Sequence, residues 1–411
     1  MLRQAQHERE STPVTLSLSK GDRQSRRVRP AYRWVTAGIL LVAVTIVALR
    51  YLSFPLLGTR HSLLSPQSSP LSPQSSALIT QEAQLPLPDK PSLIVLPFVN
   101  MSKDPDQEYF SDGLTEVLTG DLSKISSLFV IARNSAFTYK GKAVKVQDVG
   151  HEMGVRYVLE GSVLKADNQV RISAQLIDAT TGYHLWSEHY DRPLQDILRL
   201  QDEIVQKIVT TLKLQLSLEE QGYVVRKHTD NLEAYDYFLR GIESWYRLTR
   251  EANLQARQLF EKAVALDLQY AEAYAWLSDT YSLELMLRWS ADSQILERAW
   301  ALAQQALALD GSLPIAHRAL GYVYELKQQY EQALAEMERG VALNPNNADS
   351  YAGQAHVLNF AGRPEEALRA VEQAMRLNPQ FSLEVHGQRM PIKDPAVLER
   401  HIVALRKAGL K

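Results

Sequence analysis

Residues 314–347 and 348–381 repeat one another at an offset of 34, and this period constrains the fold more than any other feature of the chain. Pro345 aligns with Pro379, Ala333 with Ala367, Leu343 with Leu377 and Asn344 with Asn378. A unit of this length is a pair of helices that cannot bury its own apolar face, so copies must stack into a helical solenoid. Small residues at fixed places, Gly321 and Ala333, let the paired helices approach, and the proline ends the second helix. A degenerate copy over 271–313 keeps Ser278 in the small-residue slot, and a weaker one over 234–270 keeps Gly241. Asp394–Leu410 reads as a helix capping the last apolar face, so the solenoid is assigned to 231–411.

The period shifts ahead of the solenoid. SLIVLPF (92–98) is a continuous apolar run, the signature of a strand buried on both faces. Leu114, Val117, Leu118, Leu122 and Ile125 follow at helical spacing, then a second apolar strand at 128–132 and a short helix at 146–153. Three alternating strands come next, at 155–164, 169–178 and 183–190. In the middle one Val170, Ile172, Ala174 and Leu176 oppose Arg171, Ser173 and Gln175. An amphipathic helix at 194–216 closes the unit. The order β-α-β-α-β-β-β-α predicts a mixed α/β domain over 91–217, a sheet covered by helices.

The chain opens differently. Residues 1–33 hold eight Lys/Arg against three Asp/Glu, and the sixteen residues Trp34–Leu49 carry no charge. At ~1.5 Å per residue that stretch falls a little short of a hydrocarbon core of ~30 Å, a gap that Arg33 and Arg50 can close by snorkelling. A basic arm (1–33), a single transmembrane helix (34–57) and a Ser/Pro/Gln-rich linker (58–90) are therefore expected. The linker carries LSPQSSP and LSPQSSA in tandem, a composition that favours an extended spacer. The basic excess before the apolar stretch places the amino terminus in the cytoplasm and the later domains across the membrane. The net charge of −2 argues against a nucleic-acid partner. The absence of cysteine excludes disulfide scaffolds, thiolate zinc sites, iron–sulfur clusters and cysteine nucleophiles.

Residues 92–217 resemble the TolB amino-terminal-like domain that accompanies tetratricopeptide repeats in bacterial signalling proteins. The phrases that carry the resemblance are LPFVNMSKDPDQEYFSDGLTEVL (96–118), FVIARNSAFTYKGK (129–142), GVRYVLEGSV (154–163) and QLIDATTGYHLWSEHYDR (175–192). The 34-residue pattern is that of the tetratricopeptide repeat. Many relatives place a class III nucleotide cyclase or a winged-helix domain ahead of this region. Thirty-three residues before the apolar stretch are too few for a cyclase domain, so a cyclase label transferred by similarity is expected to be wrong about activity.

Chemical motifs are sparse. Gly141-Lys142 lacks the earlier glycine of a phosphate loop, and His151-Glu152 lacks the second histidine of a zincin helix, position 155 being Val. His184 and His189, five apart on a strand, are expected on opposite faces and unable to share a metal. Asp112, Asp178 and Asp191 are expected at element ends as caps or turns, and Trp186 with Tyr190 as packing. No catalytic residue, cofactor or metal is assigned, and the chain is expected to be a non-enzymatic interaction protein. In tetratricopeptide proteins a partner protein or peptide lies along the first helix of each repeat, at its second, fifth, ninth and twelfth positions. Carried onto this chain by that resemblance, these are Ile315, Arg318, Tyr322 and Glu325, then Asp349, Ala352, His356 and Asn359. Replacing Arg318 and Tyr322 by Ala is expected to weaken partner binding and leave the fold intact.

Overall fold

The computed structural model describes residues 87–224, 229–290, 292 and 294–381, which belong to one compact unit. The expected basic arm, transmembrane helix, most of the linker and the capping helix at 394–410 lie outside the described residues. Among the described residues no helix is long and apolar enough to cross a membrane.

The apolar run at 92–98 forms β1 (Ser92–Val95), all four residues buried, and continues after a break as the two-residue β2 (Val99–Asn100). β1 lies at the centre of the parallel part of the sheet, between β3 (Phe129–Val130) and β4 (Tyr157–Ala166). β4, β5 (Gln169–Asp178) and β6 (Tyr183–Pro193) then form an antiparallel meander, giving the order β3-β1-β4-β5-β6 with β2 beside β4. α1 (Glu108–Ser123) connects β2 to β3. It is followed by the short α2 (Arg133–Ala136), α3 (Val146–Met153) and, after the meander, α4 (Ile197–Thr211) and α5 (Leu218–Val224). α1 and α4 cover one face of the sheet, where Leu114, Leu118, Ile204 and Ile208 pack with Leu93, Val95, Ile172 and Leu176. α3 covers the other, Val149 and Met153 packing with Ile94 and Val158. The expected mixed α/β architecture is present; β2 and α2 were too short to leave a periodic signal.

Two local expectations change. A bulge between Leu176 and Ile177 pairs His184 with Ile177 and His189 with Ser173, two residues on the same face of β5. The inserted residue resets the alternation, so the histidines share a face after all. They are four β5 residues apart, about 13 Å at ~3.3 Å per residue, too far to share a metal. Asp112 is not at an element end either. It sits in the second turn of α1, buried, 2.5 Å from Lys140 Nζ.

Among the described residues eight helices follow in pairs: α6 (Leu232–Trp245) with α7 (Arg250–Leu266), and α8 (Ala271–Met286) with α9 (Gln294–Leu309). α10 (Pro314–Leu326) pairs with α11 (Tyr330–Leu343), and α12 (Ala348–Phe360) with α13 (Pro364–Leu377). Side chains mark where helices begin: Asn231 Oδ1 accepts from the Glu233 and Ala234 amides, and Asn347 Oδ1 from that of Ser350. The small-residue slots behave as the period requires. A Cβ at Gly241 would stand 2.5 Å from the Phe260 ring, and one at Gly321 would stand 2.9 Å from the Met337 methyl. Ser278 fills the slot in the second pair and donates to the Ala299 carbonyl at 2.7 Å.

The α/β domain and the solenoid are not independent bodies. α1 packs along α6, where Gly113 lies so close to Leu239 that a Cβ would meet its side chain at 2.8 Å. Their cores merge, Leu114 and Leu118 sharing one cluster with Tyr235, Leu239 and Trp276. Between the third and fourth pairs Asn346 Nδ2 reaches the carbonyls of Ser123, Ile125 and Leu128 at 3.0, 3.2 and 2.9 Å. The Ala132 amide donates to the Leu377 carbonyl at 2.7 Å, and Ser135 donates to Asn378 at 2.6 Å. Among the described residues, 231–381 thus hold the α/β domain from the first repeat to the fourth.

Candidate partner groove

The groove positions lie on the first helix of each repeat, α6, α8, α10 and α12. The small-residue slots align the repeats, so the positions equivalent to those expected in repeats three and four are Tyr235, Phe238, Ile242 and Trp245 in α6. In α8 they are Glu272, Ala275, Asp279 and Ser282. Exposure grades along the series. Tyr235, Ile242, Asp279 and Ser282 are all buried, whereas Ala352, His356 and Asn359 on α12 are exposed.

The buried end is made by the α/β domain. Tyr109 donates to Asp236, which also accepts from Lys165 Nζ at 2.9 Å and Arg240 Nε at 2.8 Å. Burial alone would raise the Asp236 carboxyl, but these donors prevail and hold it below the ordinary range. Gln201 of α4 donates to the hydroxyl of Tyr235. Farther along, Tyr246 donates to Glu116 at 2.9 Å, and Arg133 Nε stands 2.9 Å from the same carboxylate. The Arg133 guanidinium lies 3.6 Å from the Phe137 ring centroid and 4.0 Å from that of Tyr246. Burial raises the Glu116 carboxyl, with Arg133 opposing.

The middle is a charge pair in an aromatic setting. Arg318, only 4% exposed, donates from Nη2 to Asp279 Oδ2 at 2.7 Å, and its Nη1 is 4.0 Å from Asp349. The ring centroids of Trp276, Tyr322 and Trp245 surround its guanidinium at 5.5, 5.9 and 6.0 Å. Asp279 Oδ1 is buried without a hydrogen-bond partner. Burial pushes the Asp279 carboxyl up to about 6, against the pull of Arg318 and with repulsion from Asp349. Arg318 is therefore a structural residue. Removing it would strand a buried carboxylate, so the expectation that Arg318→Ala leaves the fold intact does not survive.

The open end differs. His356 Nδ1 lies 2.8 Å from Glu325, and its ring meets Phe360 edge-on at 4.9 Å. Phe360 is 44% exposed, and Asn359 beside it is also exposed. Tyr322 and Asp349 are half-buried at the boundary. Ile315 instead packs among Ala306, Leu313 and Ala316, inside the stack of helices. Sequence reasoning missed Trp245, Trp276 and Asp279, although the slots at Gly241 and Ser278 carried the alignment that finds two of them. Among the described residues no group of His, Asp and Glu is arranged to hold a metal ion.

The family model described as tetratricopeptide repeat matches residues 314–347. The solenoid carries a tetratricopeptide repeat. A protein of Rhizobium meliloti (strain 1021) named "Putative adenylate cyclase 3" is 44% identical over 248 residues, covering 60% of this chain and 42% of that protein. The chain thus spans less than half the length of the curated relative it matches. A thermophilic tetratricopeptide protein of Thermus thermophilus is similar at 20% identity over 48% of this chain and 96% of its own, with a TM-score of 0.32. TolB from Acinetobacter baumannii is similar at 20% identity over 32% of this chain and 30% of its own, with a TM-score of 0.24.

Proposed function

We propose that this chain is a scaffold that receives a protein or peptide partner at the open end of its tetratricopeptide groove. The observation that carries the proposal is the exposed strip on α12, Ala352, His356 and Asn359 with Phe360 beside them, continuous with half-buried Tyr322 and Asp349. Tetratricopeptide repeats bind proteins through such a face. His356→Ala with Asn359→Ala should reduce partner recovery in an affinity pull-down from native membranes; His356→Ala also removes the partner of the largely buried Glu325, so Asn359→Ala alone is the variant expected to leave unfolding unchanged. Equal recovery would retire the assignment.

The chain is further proposed to be anchored by residues 34–57, with its TolB-like α/β domain and repeats outside the cytoplasm and no nucleic-acid partner. The uncharged stretch and the preceding basic excess support this. A phosphatase that is active only outside the cytoplasm, fused after Lys90, should be active; a silent fusion, with a working cytoplasmic reporter at the same site, would reverse the orientation.

A second reading rests on the 44% identity to the protein named as a cyclase. In it the chain is the regulatory part of a bacterial signalling system whose cyclase or other effector is on a separate chain. Co-purification distinguishes the two, since an effector should bring nucleotide turnover that the pure chain lacks.

A further inference from the structure

The sheet of the α/β domain has two edges, and they differ. At β3 the solenoid reaches the edge, where the Ala132 amide donates to the Leu377 carbonyl. At β6 no strand among the described residues pairs with the outer side. An edge of eleven residues with unpaired amides and carbonyls is a template for another strand. Which groups it offers follows from the ladder with β5. The Leu194 amide donates to the Asn168 carbonyl at 2.9 Å, and the same register runs back through Val170–Arg192, Ile172–Tyr190 and Ala174–Glu188. Bonded pairs alternate in an antiparallel ladder, so Glu188, Tyr190 and Arg192 turn their backbone groups to β5. Ser187, His189 and Asp191 turn theirs outward. In keeping with this, Arg192 Nη1 donates to the Asp191 carbonyl at 3.2 Å, an acceptor that β5 does not use.

Charge selects the occupant. Residues 188–192 read Glu-His-Tyr-Asp-Arg: acid, base, aromatic, acid, base. Turned end for end about Tyr190, this order is its own complement. Outward groups must meet outward groups, which restricts a two-fold pairing of β6 with itself to a few centres. A centre at Glu188 or at Asp191 sets like charges against each other, and one at His189 sets histidine against histidine. A centre at Tyr190 sets Glu188 opposite Arg192 and His189 opposite Asp191, each twice.

We propose that β6 pairs antiparallel with β6 of a second copy of this chain about a two-fold axis at Tyr190, joining two sheets into one. His189 and Asp191 then exchange backbone hydrogen bonds across the axis, and Glu188 and Arg192 form the closer, non-hydrogen-bonded pair. Pro193, with no amide, ends the run of donors. The side chains are ready for these roles. Lys207 of α4 and Tyr190 bond Glu188 at 2.7 and 2.8 Å and hold its carboxyl below the ordinary range. Asp191 is exposed beside Arg171 of β5, and His189 and Arg192 are exposed. Exposed ion pairs contribute little each, so here they set the register, while the backbone bonds join the strands. The contact is isologous and closes at two copies.

Sedimentation of the purified full chain in detergent tests this, and should show a dimer that dissociates on dilution. Arg192→Glu sets a carboxylate against Glu188 of the second copy, twice, and should raise the dimer dissociation constant at least ~10-fold. Glu188→Arg should do the same by setting two guanidinium groups together. Mixing the two variants puts opposite charges face to face at both places, so a heterodimer should form where neither variant pairs with itself. Glu188→Arg also breaks the contacts with Lys207 and Tyr190. If it fails to fold, His189→Asp, at an exposed position, supplies the second like-charge variant in the same register, and it too should weaken the dimer. A chain that is monomeric at every concentration, or a dimer that Arg192→Glu leaves unchanged, would overturn the proposal. Folded Arg192→Glu and Glu188→Arg chains that do not pair on mixing would overturn the register.

Discussion

Arg318 and Asp279 carry their charges inside the solenoid, and each is tolerated there because of the other. Burial of Asp279, only partly offset by Arg318, makes stability depend on pH in a defined direction. Asp279, with its carboxyl near 6 when folded and about 4 when unfolded, contributes stability that is fully present below about pH 4. That contribution is lost as pH rises through about 6. Arg318 on α10 and Asp349 on α12 are the charged groups that face it. Asp279→Asn should therefore flatten the fall in urea-unfolding stability between about pH 4 and pH 7 by an amount on the order of 3 kcal/mol. Parallel curves for the two proteins would show that the carboxyl is not raised. Gly321 offers a steric prediction at the same scale. Its missing Cβ would meet Met337 first at the methyl, 2.9 Å away, and then at Cγ and Sδ, 3.1 and 3.2 Å away. A methionine tip can move, so Gly321→Ala should cost little, while Gly321→Leu should cost about 3 kcal/mol or more in a denaturant melt.

α1 belongs to two structures at once, one face on the sheet and another on α6. Gly113 permits the second contact, and Gly113→Leu would drive a side chain into Leu239. The expected result is a loss of about 1–3 kcal/mol together with faster amide exchange across α1 and α6, which hydrogen exchange resolves helix by helix. Exchange confined to α1 would mean that the two helices open separately. The same element shows where sequence patterning stops. The spacing of Leu114, Leu118 and Leu122 marks a helix with an apolar face, but Gly113 looks like an ordinary helix-weakening residue until Leu239 is seen against it. The period placed the slots at Gly241, Ser278 and Gly321 correctly because they pack within one repeat. The β6 bulge that brings His184 and His189 to one face left no signal, since it depends on register with β5.

At the scale of the molecule, the solenoid is a holder for its own α/β domain before it is a receptor for anything else. Every repeat either touches that domain or shares a core with residues that do. The consequence for experiments is direct. Substitutions at Arg318 test folding, and substitutions at His356 and Asn359 test binding, although all three occupy equivalent kinds of position in the repeat. Arg318→Ala should lower stability by about 3–5 kcal/mol, as expected when one partner of a buried pair is removed. A thermal melt unchanged from the parent would show that Asp279 finds another donor.

The sequence by itself determined the elements and their order, the mixed sheet, the paired helices and the slots between them. These follow from periodicities of two, of 3.6 and of 34, which depend only on neighbours along the chain. It also marked which helix positions could form a groove. Only the tertiary structure decided which of those positions are open. Arg318 finds its buried partner in Asp279, thirty-nine residues away, and the solenoid meets the α/β domain where Ser123, Ile125 and Leu128 touch Asn344 and Asn346, more than two hundred residues later. Contacts at such separations are set by how two domains pack, and no local period records them.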